Sequence, residues 1–204
     1  MDSRKYFIIA VAIIAIVTGI WMTARVLSPP PLPQTATLLP AATDLAEFSL
    51  LDQDGVTFTR SSLERRWNLV FFGFTHCPDV CPLTLRVLAK ARQQMLDAGQ
   101  DELPRIVLVS VDPERDTPEV IGQYVSNFGE DTIGVTGELS ELRKLTDGLG
   151  IFFEKSGLDG DNYSVDHSAV VIVVDPDGRF HSLFGAPHQA DNFAHDLPII
   201  MSMR

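Results

Sequence analysis

Cysteine is nearly absent from this chain: two residues in 204, Cys77 and Cys81, four positions apart. All thiol chemistry is therefore confined to a single pair. Basic residues are also scarce, 16 Lys and Arg against 27 Asp and Glu, which leaves a net charge of −11. The first 40 residues carry Asp2, Arg4, Lys5 and Arg25, a sum of +2, so the remaining 164 carry −13. Nucleic-acid phosphates repel such a domain, and nucleic acid is excluded as a partner. Cations and basic protein surfaces are its electrostatic complements. There is no internal repeat, and no low-complexity tract apart from one proline-rich stretch. Apolar residues at 45 % with charged residues at 21 % exclude a chain disordered throughout. The length suits one domain of ordinary size or two small ones.

Residues Phe7 to Met22 are apolar except for Thr18 and Gly19, and Thr23-Ala24 extend the run. About 18 to 20 such residues cross a bilayer, so residues 6–24 are expected to form a transmembrane anchor. Arg4 and Lys5 precede it, which leaves residues 1–5 cytoplasmic and the bulk of the chain outside. A cleaved signal peptide has a similar charged head and apolar core. The length of the run, and the lack of an Ala-x-Ala-like cleavage site after it, favour an uncleaved anchor. No long Arg- and Ser-rich leader precedes it, which argues against mitochondrial targeting. Residues 25–43 read as a linker. Within it Pro29, Pro30, Pro31, Pro33 and Pro40 make an uncharged, semi-extended spacer. The folded domain is then expected over 44–204.

Inside that domain, Phe48 to Thr59 reads as two short strands joined at Asp52-Gln53-Asp54-Gly55. Asn68 to Phe74, rich in Val, Phe and Leu, predicts a buried strand. Leu83, Val87, Leu88, Ala91, Met95 and Leu96 fall at helical spacing behind it. Arg105 to Val111 is a second continuous apolar strand of the parallel-sheet kind. Thr117 can cap, and Pro118 can open, a helix running to about Phe128. Leu139, Leu142, Leu145 and Leu149 stripe a further helix that Gly148 or Gly150 ends. Ala169 to Val174 is a third apolar strand, and Asp175-Pro176-Asp177-Gly178 turns it into a hairpin with Arg179 to Phe184. The last 20 residues form a closing helix. This order describes an α/β sheet covered on both sides.

The cysteines sit where the first buried strand hands over to its helix, and Pro82 suits the first helical turn because its missing donor costs nothing there. Unpaired amides and the helix dipole favour negative charge at that point, so a thiolate is expected to form more easily. A thiolate serves disulfide exchange and soft-metal binding alike. A purely structural disulfide is the plainer alternative. His167, in Asp166-His167-Ser168 before the third strand, flanks a neighbouring strand end and can approach the dithiol. Two sulfurs and an imidazole suit Cu(I) and keep Cu(II) binding possible, with Asp166 or a backbone carbonyl orienting the ring. Taken alone, a loop histidine is more often a surface residue than a ligand. The same holds for His76, although it adjoins Cys77 and could raise its thiolate character. His181, His188 and His195 recur every seven residues, but Gly185 and Pro187 interrupt any helix that would align them. Met201 and Met203 offer thioethers in what reads equally as a frayed tail. The acidic loop from Asp112 to Asp116 is either a docking surface or a solvated turn that caps a helix.

Three stretches in order, Gly73-Phe74-Thr75-His76-Cys77-Pro78-Asp79-Val80-Cys81-Pro82, Val109-Ser110-Val111-Asp112-Pro113-Glu114-Arg115-Asp116-Thr117-Pro118-Glu119 and Asp166-His167-Ser168, resemble the Sco/SenC copper chaperones. The likeness runs from about residue 44 to near the C-terminus, behind the N-terminal anchor. It implies a thioredoxin-like central sheet flanked by helices, and one copper ion, Cu(I) or Cu(II), held by Cys77, Cys81 and His167. It further implies assembly of the copper A centre of cytochrome c oxidase. Subunit II would be the client, with a copper donor chaperone and a thioredoxin-type thiol reductase as partners. The setting implied is a bacterial inner membrane, crossed once, with the domain facing the periplasm. Some members of the family act chiefly as thiol reductants, so a redox role for Cys77 and Cys81 stays open. Their three-residue spacer, Pro78-Asp79-Val80, is wider than the two residues of the usual reductase motif and leaves room for a metal.

Overall fold

The structure, a computed structural model, describes residues 3–27, 31–157 and 163–203. Ser28, Pro29 and Pro30 of the expected spacer lie outside the described residues, as does Asp2. The chain divides into two units, Met1–Leu32 and Pro33–Arg204. The first is built on helix α1, Ser3–Leu27. Its stretch Tyr6–Ala24 has a mean hydropathy of 2.5 and no buried residue, long and apolar enough to cross a membrane.

The second unit is an eight-stranded sheet with helices packed on it. In chain order its elements are β1 (Thr37–Asp44), β2 (Leu50–Asp52), β3 (Thr57–Phe58), β4 (Asn68–Gly73), α2 (Val80–Asp97), β5 (Arg105–Ser110), α3 (Pro118–Val125), β6 (Thr132–Thr136), α4 (Leu139–Leu149), β7 (Phe153–Gly157), β8 (Tyr163–His167), β9 (Val170–Val174), β10 (Arg179–Gly185) and α5 (Ala190–Ser202). The sheet order is β1-β10-β9-β4-β5-β6-β2-β3, and β7 and β8 form a separate two-stranded ribbon. Strands β4, β5 and β6 run parallel, while β9 pairs antiparallel with β4. Every residue of β4 is buried, which a strand covered on both faces requires. Helices α2 and α5 pack on each other, and α2 buries Cys81, Thr84, Leu85, Leu88, Ala91 and Met95 along one stripe. Thr117 caps α3 by accepting from the Val120 amide, with Pro118 at its first turn.

Three regions depart from the sequence reading. The linker expected through residue 43 ends earlier, because Thr37–Asp44 pairs antiparallel with β10. Pro40 sits where the register shifts between Leu38 and Thr43, and β1 is an edge strand, where proline is tolerated. Strand β6 was not expected: it is five residues long, with Gly134 at its centre. A Cβ at Gly134 would lie 2.6 Å from Ile121 Cγ1, so the residue that weakens the strand signal is the one that lets α3 approach. The β7–β8 ribbon was not expected either, and it changes the setting of His167, which ends a strand rather than lying in a loop.

Candidate metal centre

Cys77 precedes α2 and Cys81 lies in its first turn. The two are free thiols, Cys77 half-buried and Cys81 buried. Asp79, at the helix cap position, makes no side-chain capping bond; instead the Cys81 amide donates to Cys77 Sγ at 3.4 Å. The helix start thus presents a donor to one sulfur, as its unpaired amides should. Cys81 does not share that benefit. Burial pushes its thiol well above the ordinary range, with Cys77 and Asp116 adding and the Phe74 backbone opposing. The expectation of an easily formed thiolate therefore fails at Cys81, because desolvation outweighs the helix end.

His167 comes from β8 and closes the site. Its Nε2 lies 3.6 Å from Cys81 Sγ, and the ligand atoms of Cys77, Cys81 and His167 all fall within 4.8 Å of one another. Nδ1 is 3.3 Å from Ser168 O. A carbonyl oxygen only accepts, so that contact places the proton on Nδ1 and leaves the Nε2 lone pair facing the sulfurs. The orienting group is thus the carbonyl, and Asp166 is exposed. Burial holds the imidazole below its usual pKa, against the raising effects of the Ser168 carbonyl and Asp166, which keeps the ring neutral and able to ligate. The rings of Phe71 and Phe74 meet it edge to face, at centroid distances of 5.9 and 6.0 Å.

The other histidines lie apart from this cluster. His76 is 53 % exposed, with Nδ1 3.8 Å from Asp116 Oδ1. His181 meets Trp67 edge-on, His188 lies tilted against Phe193, and His195 Nδ1 is 2.8 Å from Asp196. Met201 packs partly on the core, and Met203 is exposed.

The loop from Asp112 to Asp116 is not the acidic surface considered from sequence. Asp112 and Asp116 are both buried. Asp116 accepts from the Thr75 amide, the Thr75 hydroxyl and the Ser110 hydroxyl. Asp112 accepts from Tyr163 Oη at 2.6 Å and pairs with Arg115. Only Glu114 projects outward, paired with Lys155 of the ribbon. Thr75, Ser110 and Tyr163 carry no functional signal of their own in the sequence, because each residue type is ordinary in isolation. The period-two alternation Tyr163, Val165, His167, with exposed Ser164 and Asp166 between, was the available sign that these three share a face.

A mixed α/β sheet with a dithiol at the end of a central strand and an imidazole brought against it defines a thiol-and-imidazole domain of the thioredoxin-like class, suited to redox or soft-metal chemistry. The comparisons narrow the class. Residues 37–202 match the model of the SCO1/SenC family. The Arabidopsis thaliana protein named "Protein SCO1 homolog 1, mitochondrial" is 37% identical over 146 residues, 71% of this chain and 43% of its own length. Solved structures agree: Arabidopsis thaliana ScoI with copper bound has 32% identity and a TM-score of 0.74, over 78% of this chain and 99% of that one. Bradyrhizobium japonicum ScoI with copper bound has 35% identity and a TM-score of 0.67, over 76% and 98%. The chain belongs to the SCO1/SenC family.

Proposed function

We propose that this chain is a membrane-anchored copper chaperone that takes one copper ion on Cys77, Cys81 and His167 and passes it to subunit II of cytochrome c oxidase during assembly. The observation that carries the reading is the convergence of two sulfurs and one imidazole nitrogen within 4.8 Å, from two separate parts of the fold. Two thiolates and an imidazole favour Cu(I) by softness and leave a coordination position for an incoming ligand. Binding exchanges thiol protons for the cation, so the ion displaces the proton of the buried Cys81 sulfur and that proton leaves to solvent. Two relatives of solved structure carry bound copper, which supports copper as the ion. A periplasmic setting, with α1 crossing the inner membrane, would oxidise the pair unless a thiol reductase partner restored it.

Titration of the reduced full-length chain with Cu(I) against a competing chelator tests this. Wild type should take up one equivalent. Cys77→Ala and Cys81→Ala should lose the site, and His167→Ala should bind at least about tenfold more weakly. Unchanged affinity in His167→Ala would remove the imidazole from the site. A redox reading has one observation in its favour: half-buried Cys77 beside buried Cys81 resembles an attacking and a resolving thiol. It requires turnover on an oxidised protein substrate that survives His167→Ala.

A further inference from the structure

The two halves of the site stand on different supports. Cys77 and Cys81 follow β4, at the middle of the main sheet, whereas His167 rides on the β7–β8 ribbon, whose strands pair with each other and not with that sheet. Only Ser168 and Ala169 separate His167 from β9 of that sheet, so the near end of β8 is tied directly. The tilt of the strand that carries the imidazole therefore depends on what fastens its far end to the body. Tyr163, Val165 and His167 alternate along β8 on its inward face. Val165 is buried beneath the ribbon. Tyr163 stands at the far end of the same face and donates from its hydroxyl to buried Asp112 at 2.6 Å. Arg115 lies over the Tyr163 ring at 3.7 Å and donates to the Tyr163 carbonyl at 3.1 Å.

The fastening continues into the cysteine loop. The Asp112 amide donates to Ser110 Oγ at 3.0 Å, and the Ser110 hydroxyl donates to Asp116 Oδ2 at 2.6 Å. The Thr75 amide donates to the same oxygen at 3.0 Å, and Thr75 is two residues from Cys77. A path from Tyr163 to the Asp112 carboxylate, then from the Asp112 amide to Ser110, Asp116 and Thr75, thus joins the strand carrying the imidazole to the loop carrying the thiols. Its interior members are buried carboxylates and a buried hydroxyl, so each link is costly to leave unmade.

We propose that Tyr163 is a positioning residue for the metal centre: by closing this path on Asp112 it sets the spacing between His167 and the cysteine pair and slows release of the bound ion. The proposal deepens the copper reading and rests on it for the ion's identity. It also assigns the Asp112–Asp116 loop a task inside the site, a splint between its two halves.

The test compares wild type, Tyr163→Phe, Ser110→Ala and, as a control on the outward face of β8, Ser164→Ala, all as reduced full-length chain in detergent. The first readout needs no metal: the His167 ring-proton shifts in NMR, which the neighbouring Phe71 and Phe74 rings displace. In Tyr163→Phe and Ser110→Ala these should move toward the values of a free histidine while the rest of the spectrum stays folded. The second is the Cu(I) off-rate to a chelator, which should rise about tenfold in both variants, the scale of a lost hydrogen bond to a charged group. Ser164→Ala should change neither. Tyr163→Phe with unaltered His167 shifts would overturn the proposal. So would the same unaltered shifts in Ser110→Ala, should Tyr163→Phe fail to fold. Failure of wild type to bind Cu(I) would instead sink the copper reading, and the ring shifts would still decide whether Tyr163 positions the imidazole.

Discussion

Gly73 ends β4 without a side chain because the cysteine helix occupies the space. A Cβ there would lie 2.8 Å from Cys81 Sγ and 3.0 Å from the Phe71 ring. Backbone and sulfur are in contact, so the Cys81 position is set partly by what Gly73 lacks. Gly73→Ala should push the sulfur away from the imidazole. Overpacking of this kind costs about 1–3 kcal/mol, read as a lower urea midpoint of the reduced, metal-free chain, with weaker Cu(I) retention alongside. Wild-type behaviour in both measurements would show that the sulfur has room to yield. The residue types of the site were open to reading in the sequence; their environments were legible only in part. Cys81 falls in helical register with Leu85, Leu88 and Met95, so its burial was written into the same periodicity that gave the helix. That burial is what overrides the helix end as a stabiliser of the Cys81 thiolate. The contact between Gly73 and the sulfur, by contrast, joins two elements in space, and no local pattern reports it.

Among the elements, those with long apolar runs or clean helical stripes were readable: β4, β5, β9 with its hairpin partner β10, α2 and α4. Strands β1, β6, β7 and β8 escaped because their local signals are short, proline-broken or glycine-broken, and they are strands by virtue of what they pair with. The start of β1 has a fastening of its own. Buried Asp196 of α5 accepts from the amides of Gln34, Thr35 and Ala36 at 2.7 to 2.9 Å and from the Thr35 hydroxyl, with His195 Nδ1 at 2.8 Å. Burial alone would raise its pKa, but these donors together hold the carboxyl well below the usual range. A carboxylate with a depressed folded pKa contributes stability that is complete above its unfolded value, near pH 4, and that fades as pH falls through the folded one. Asp196→Asn should therefore cost about 2–4 kcal/mol at pH 7. The gap from wild type should hold down to about pH 5 and narrow below pH 4. Urea midpoints of both chains at pH 7, 5, 4 and 3 measure it. A gap that stays constant to pH 3 would mean that the clamp does not act through its charge.

At the scale of the whole molecule, chemistry and location are linked through the thiols. Cys77 and Cys81 must be reduced to hold a soft cation, and which side of a membrane they occupy decides whether reduction comes freely or needs a partner. Helix α1 supplies the argument for the side. It is apolar along Tyr6–Ala24, with Arg4 and Lys5 ahead of that stretch, and a positive flank stays cytoplasmic. The proposed reading accordingly puts the acidic remainder of the chain on the outer face. Expressed in a bacterial host, the full chain should stay with membranes through alkaline carbonate washing. Replacing Ile14 and Ile16 together by Arg should release it, since each charge near the centre of a span costs about 2.5–3.5 kcal/mol on insertion scales. In spheroplasts, a maleimide that does not cross membranes should label half-buried Cys77 after mild reduction, without detergent. The label should be blocked by prior loading with Cu(I). Labelling that appears only once the inner membrane is opened would place the dithiol in the cytoplasm. There the glutathione pool alone would keep the pair reduced, and a dedicated reductase partner would have no task.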